Sequence, residues 1–329
     1  MSRRIRPLLL LASATVMSPW AHAALAQDLS DPNALAAVCF GGSGTKCVSV
    51  STPSTPAPTT PAWMSTDVAA AWKAGDKGQG VTITMVDDFS SSSRFSGNFG
   101  VGVQTQRHGE WTREEASMIA PSATIVSKDF NTPNAVPLAR GLNVLNLSYA
   151  MYARAGYSAS QIGWDAEETS IIADATRGAA VISKAAGNDS VAVGTRNSSG
   201  QVDYLDLALI GTQSAIFVGA LNSNGSPTSK ATMAYYSDIA GTNPLVESHF
   251  LVVGVNGNVT GLLGTSFAAP IITGYSAILG SKFTTATPTQ IANRLLTTAR
   301  TDTLAGYSRS VYGMGEASLS NALAPNSIQ

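Results

Sequence analysis

The sequence predicts an α/β fold: three layers, with a largely parallel β-sheet carrying helices on both faces. Two observations predict it. Short β-branched and apolar runs recur along the chain and alternate with segments of helical composition, the pattern of repeated strand–helix–strand units. The 329 residues are 44% apolar and only 12% charged, which suits a sizeable buried core and excludes a disordered polyelectrolyte. There is no internal repeat, and a formal charge of -1 offers no basic field for nucleic acid.

The N-terminus stands apart from that fold. Met1 to Arg6 is a basic stretch, Pro7 to Met17 is apolar, and Ala21-His22-Ala23 and Ala24-Leu25-Ala26 offer small-x-small cleavage sites. A secretory signal peptide over 1–26 is expected, and with it a secreted or periplasmic location; a buried first helix is the alternative. The apolar stretch is too short to cross a bilayer, so no membrane span is expected in the mature chain. Loss of 1–26 removes three arginines and no acid, so 20 basic residues fall to 17 against 21 acidic ones.

Residues 27–50 form a short segment of weak periodicity that contains the two cysteines, Cys39 and Cys47. In an oxidising compartment this pair is expected to form a local disulfide, two free thiols being the alternative. Gly41 to Lys46 lacks the spacing of a phosphate loop and reads as loop glycines. Residues 51–62 are a Pro/Thr-rich linker, extended by its prolines. The folded domain is expected over 63–329.

Within that domain Asp67 to Ala74 reads as a helix, and Lys77-Gly-Gln-Gly80 as a turn. Val81 to Val86 is a β-branched strand that runs into two aspartates. Ser90 to Gly102 is a Ser/Gly-rich loop, and Glu110 to Ile119 a helix with acids in its first turn. Thr124 to Val126, Leu142 to Leu147 and Ala180 to Ser183 read as strands, with an Asp-capped helix over 165–176 before the third. Ile216 to Ala220 and Phe250 to Val255 are further strands. Ser266 to Leu279 and Pro288 to Ala299 are helices, the second with proline near its first position. In such sheets working residues gather at the carboxyl ends of the strands.

Histidines narrow the search for chemistry. Of three, His22 leaves with the signal peptide, and His249 sits at the entrance to a strand without a supporting pattern. His108 follows a loop and precedes a helix, where an imidazole can act as a general base. Gly264-Thr-Ser-Phe-Ala-Ala-Pro270 places Ser266 where small residues open an apolar helix. Unpaired N–H groups at such a helix start can hold an oxyanion, although an ordinary Ser/Thr helix cap fits the local pattern equally well.

Several segments in order resemble the subtilisin-like serine proteases (subtilases, peptidase S8 family). Gly264 to Pro270 is similar to their serine motif, and Gly80-Val-Thr-Ile-Thr-Met-Val-Asp87 to their first catalytic strand. His108-Gly109 with Ile119 to Ala123 resembles their histidine segment. Val181-Ile-Ser-Lys-Ala-Ala-Gly-Asn188 resembles the strand that ends on the oxyanion asparagine, and Val144 to Tyr149 the strand that pairs with substrate. Tyr312-Gly-Met-Gly-Glu316 resembles the closing turn, so the likeness runs from about Ala70 to Ala324.

The resemblance implies a subtilisin-like fold and a secreted serine endopeptidase acting on proteins or peptides. Ser266 would be the nucleophile, His108 its base and Asp87 the orienting acid, in the family's chain order. Asn188 would serve the oxyanion hole, and Leu147, Ser148, Tyr149 and Ala150 would bind substrate. This chemistry requires no cofactor. Structural calcium is common in the family, but no run of oxygen ligands marks a site for it here.

Three departures from the family pattern stand out. Asp88 and Phe89 follow Asp87 where a small residue and glycine are usual, so Asp88 is an alternative orienting acid. Glu110-Trp111 replaces the common Thr-His, and Tyr149-Ala150 stands where glycine is frequent. Glu114, Glu115, Glu167 and Glu168 read as solvated helix faces rather than a carboxylate pair. A catalytically silent binding module on the same fold is the competing function. An esterase is weaker, because the GxSxG elbow is missing.

Overall fold

The computed structural model describes residues 60–328. The expected signal peptide (1–26), the Cys39–Cys47 pair and most of the 51–62 linker lie outside them. Six strands form one sheet: β1 (Val81–Asp87), β2 (Thr124–Asp129), β3 (Leu142–Leu147), β4 (Val181–Ala185), β5 (Ala215–Leu221) and β6 (Phe250–Gly254). Their spatial order is β6-β5-β4-β3-β1-β2, and every pairing is parallel. The chain first steps from β1 to β2 on one side, then returns past β1 to β3 and continues outward. Crevices at such a reversal of direction, at the carboxyl ends of the strands, are where open α/β sheets hold ligands.

Strand periodicity divides the core in two. Ile83, Met85, Val144 and Val181 point to one face, packed by α1 (Thr66–Ala74), α2 (His108–Ile119) and two later helices, α4 (Ala269–Lys282) and α5 (Pro288–Thr297). Val86, Leu145, Leu147 and Ile182 point to the other, where α3 (Ala166–Thr176) supplies Ile171 and Ala175. Helix α4 is buried on every side except at its final Lys282, which accounts for its uniformly apolar sequence. It lies against α2 so closely that a Cβ on Gly274 would come within 2.4 Å of Ile119.

Several boundaries differ from the sequence reading, each for a local reason. Helix α2 starts at His108, before Glu110, because the Glu110 carboxylate accepts the Arg107 amide at 2.8 Å and closes a capping box. Asp165 caps α3 through the Glu167 amide, as expected. Ser266 is not in the long helix: a 3₁₀ turn over Thr265–Phe267 precedes α4, which opens with Pro270 in its first turn. The Ser90–Gly102 loop is half of an antiparallel ribbon that pairs Phe95–Gly97 with Gln104–Gln106. A second ribbon pairs Tyr152–Arg154 with Gln201–Asp203 and leads into a short helix, Tyr204–Leu209.

The acids expected on solvated helix faces are corrected by burial. Glu115, Glu167 and Glu168 are all enclosed, and only Glu114 is partly open to solvent. Glu115 is buried with Trp111 and Ile119 on α2, whereas Glu167 reaches Lys128 at the end of β2, 2.6 Å away. Burial pushes the Glu115 carboxyl well up, and raises Glu167 to about 7 and Glu168 to about 8.

Candidate active site

Strand β1 is buried almost throughout and delivers Asp87 to the carboxyl edge of the sheet. Asp87 is fully enclosed, and its carboxylate is held from three directions. Oδ1 accepts the Asp88 amide at 2.7 Å and lies 2.5 Å from Nδ1 of His108. Oδ2 accepts the Thr112 hydroxyl at 2.8 Å. Asp88 turns away from the imidazole. It accepts the amides of Ser90 and Ser91 at 3.3 and 2.8 Å, and the Ser91 hydroxyl as well, so it caps the turn after β1.

His108 is the first residue of α2, fixed there by the Arg107–Glu110 capping pair at 2.7 Å. Its neighbour must be glycine. A Cβ on Gly109 would sit 2.7 Å from the Asp88 carbonyl and 2.9 Å from the Phe89 ring. The rings of Phe95 and Phe267 lie 6.0 and 5.8 Å from the imidazole centre and wall it on two sides. Burial opposes a charged imidazole, but the Asp87 charge and hydrogen bond, with Asp88 beyond, outweigh it and hold the His108 pKa above the ordinary 6.5. The other histidine in the described residues, His249, bonds to Leu245 and Ser248 at the opposite edge of the sheet.

Ser266 sits in the 3₁₀ turn, entered through Gly264 at φ 136°, a conformation that favours glycine. The turn is clasped to the end of β4. The amide and hydroxyl of Thr265 donate to Asn188 Oδ1 at 2.8 and 3.0 Å, and the Gly187 amide donates to Thr265 Oγ1 at 3.1 Å. With its oxygen so engaged, Asn188 has its NH₂ group left to offer the cleft that it lines. A second clasp joins the turn to the end of β3. Ser266 Oγ donates to the Ser148 carbonyl at 3.2 Å, and Ser148 Oγ donates to the Ser266 carbonyl at 3.0 Å. No hydrogen bond links Ser266 to His108 among the described residues.

His108, Ser148, Tyr149, Ala150, Asn188 and Ser266 nonetheless line one cleft. Leu147 does not: its side chain is fully buried in the sheet core. Three residues of the site were not singled out in the sequence. Thr112 carried no signal beyond its place one turn after His108. Tyr152 stands just past the substrate-strand segment, and Lys184, a lone cation inside an apolar strand, was the one legible anomaly. Burial disfavours a charged Lys184, yet the carboxylates of Asp203 and Asp206 raise its pKa, while burial pushes Asp206 itself well up.

This arrangement can be set beside known proteins. A profile described as the subtilase family matches residues 100–315. Mycosin-5 of Mycobacterium tuberculosis (strain ATCC 25618 / H37Rv) is 36% identical over 94 residues, an alignment that takes in 25% of this chain and 16% of Mycosin-5. The chain therefore matches well under two thirds of that relative's length. Among solved structures, the prenylagaramide maturation protease PagA superposes with a TM-score of 0.50 at 16% identity, covering 78% of this chain and 97% of PagA. MycP1 from the ESX-1 type VII secretion system gives 0.50 at 19% identity, covering 83% and 88%. At such identities the likeness speaks to the fold alone, a parallel sheet flanked by helices in the subtilisin manner.

Proposed function

The chain belongs to the subtilase family, and from that premise we propose that it is a secreted serine endopeptidase acting through Asp87, His108 and Ser266. One observation carries the reading. The only imidazole at the carboxyl edge of the sheet, among the described residues, is bonded at 2.5 Å to a buried carboxylate and shares a cleft with Ser266 and Asn188. In this reading Asp87 fixes the His108 tautomer with Nδ1–H donating, which leaves Nε2 to take the serine proton. A rotation of Ser266 about its Cα–Cβ bond releases Ser148 and turns the hydroxyl towards the imidazole.

Attack on a peptide carbonyl then builds an oxyanion beside the Asn188 NH₂ group and the Ser266 amide. His108 passes the proton to the leaving amine, and water enters by the same route to hydrolyse the acyl-enzyme. No cofactor takes part in these steps. Export by the 1–26 signal, a Cys39–Cys47 disulfide and a domain beginning near residue 63 complete the proposal, on the sequence features given above. Protein or peptide chains are the proposed substrates.

A fluorophosphonate probe tests this directly. Wild-type protein becomes labelled, and Ser266→Ala does not; labelling that persists in Ser266→Ala would assign the nucleophile elsewhere. The second reading, a silent binding module, draws on the serine hydroxyl being bonded to Ser148 rather than to His108. It requires that correctly folded wild-type protein stay unlabelled.

A further inference from the structure

The cleft beside Ser266 ends on a floor that no step above uses. Lys184, in β4, lines it and is only 1% exposed. Its ammonium lies 2.9 Å from Asp203 Oδ2 and 3.1 Å from Asp206 Oδ1, and donates to the Ala185 carbonyl at 2.7 Å. Asp203 is itself pinned, its other oxygen accepting the Met151 and Leu205 amides at 2.9 and 3.0 Å. Beside the lysine, the Tyr152 hydroxyl donates to Asp189 Oδ2 at 2.7 Å, and that oxygen also accepts Asn197 Nδ2 at 3.1 Å.

Two consequences follow from that floor. The Lys184 ammonium, the Asp203 carboxylate and the Tyr152–Asp189 pair are already matched to neighbours, which leaves them little to offer a charged side chain entering from the cleft, and burying one unpaired is costly. Nor can the floor swing aside, because that would break a buried ion pair. The space is also small. The cavity volume is about 40 Å³. At about 10–15 Å³ of that measure per water, it holds roughly three waters. A space of that size favours a methyl or hydroxymethyl group over an isobutyl or benzyl group.

The side of the scissile bond served by this pocket is set by the chemistry. His108 must reach the leaving amine, so the leaving chain lies towards the imidazole. On the proteolytic reading the acyl residue would then lie on the Asn188 side of the cleft, whose lining there includes Ser148 to Ala150, Ala185 and Lys184. We propose, resting on the proteolytic reading, that Lys184 and Tyr152 close the acyl-side pocket and confine cleavage to bonds that follow glycine, alanine or serine.

The experiment is a series of peptide substrates that differ only in the acyl-side residue, hydrolysed by wild-type protein already shown to take the fluorophosphonate label. Alanine is expected to exceed leucine, phenylalanine, lysine and glutamate by at least tenfold in kcat/KM. Equal or faster cleavage after leucine or phenylalanine by labelled protein overturns the assignment and leaves the protease reading intact. Absence of label from folded protein takes down both. In Tyr152→Ala the phenylalanine-to-alanine ratio is expected to rise at least tenfold. The triple change Lys184→Met, Asp203→Asn, Asp206→Asn, which removes the floor's charges together, is expected to shift the ratio the same way. A ratio unmoved in folded Tyr152→Ala overturns the role of the floor.

Discussion

Ser266 and Asn188 are distinguished by how much each is asked to contribute. Under the proposed mechanism, Ser266→Ala lowers kcat by about 10⁶, whereas Asn188→Ala lowers it by about 10²–10³ with little change in KM. Steady-state kinetics on one peptide separates the two scales. His108 makes a pH prediction with a definite sign. Asp87 raises its folded-state proton affinity, so the neutral imidazole needed as a base is lost at higher pH than for a free histidine. The acid limb of kcat/KM therefore has its midpoint above 6.5, and a midpoint at or below that value contradicts the pairing. The same pair stabilises the fold fully below the unfolded pKa, and that contribution disappears as pH rises through the folded one.

Helices α2 and α4 make the predictions that belong to elements, because their contact holds His108 and the serine turn in register. Gly274→Ala would put a Cβ 2.4 Å from Ile119 and force the helices apart. A loss of about 1–3 kcal/mol is expected in urea unfolding, with reduced activity from a displaced imidazole. Glu115 is the opposite case, an acid whose proton affinity burial pushes well up. Above its unfolded pKa the unfolded chain releases a proton that the folded one retains, so stability falls as pH rises. Glu115→Gln should therefore raise Tm more at pH 8 than at pH 4, by about 2–4 °C for each kcal/mol relieved. Helix α2 also shows the limits of sequence reading. Its apolar face and acidic first turn were visible, but Glu115 looked like a solvated acid because only tertiary packing encloses it. The Phe95–Gly97 ribbon was hidden likewise, since three residues among serines and glycines carry no measurable alternation.

At the scale of the molecule, the strand–helix alternation made the parallel sheet legible, and two strand ends and one turn marked where to look. The Lys184–Asp203–Asp206 floor was not legible, because it joins β4 to a ribbon whose pairing no local pattern announces. The beginning of the domain is equally a tertiary matter. Trp63 is buried, donates its indole N–H to the Phe99 carbonyl at 2.9 Å, and its own carbonyl accepts Asn224 and Asn256 at 3.0 and 2.9 Å. A protein starting at Asp67 loses that socket and is expected to melt earlier than one starting at Thr60, which keeps it. Thermal denaturation of the two truncations decides it.

Strand order has a further consequence, for the newborn chain. Asp87 and His108 leave the ribosome early, but the serine turn and the helix that underpins four central strands emerge only after residue 260. Under the proposed mechanism, no polypeptide that stops short of this turn can assemble the clasp at Asn188, so cutting power cannot arise before it has been made. Dormancy during translation is thus written into the order of the segments.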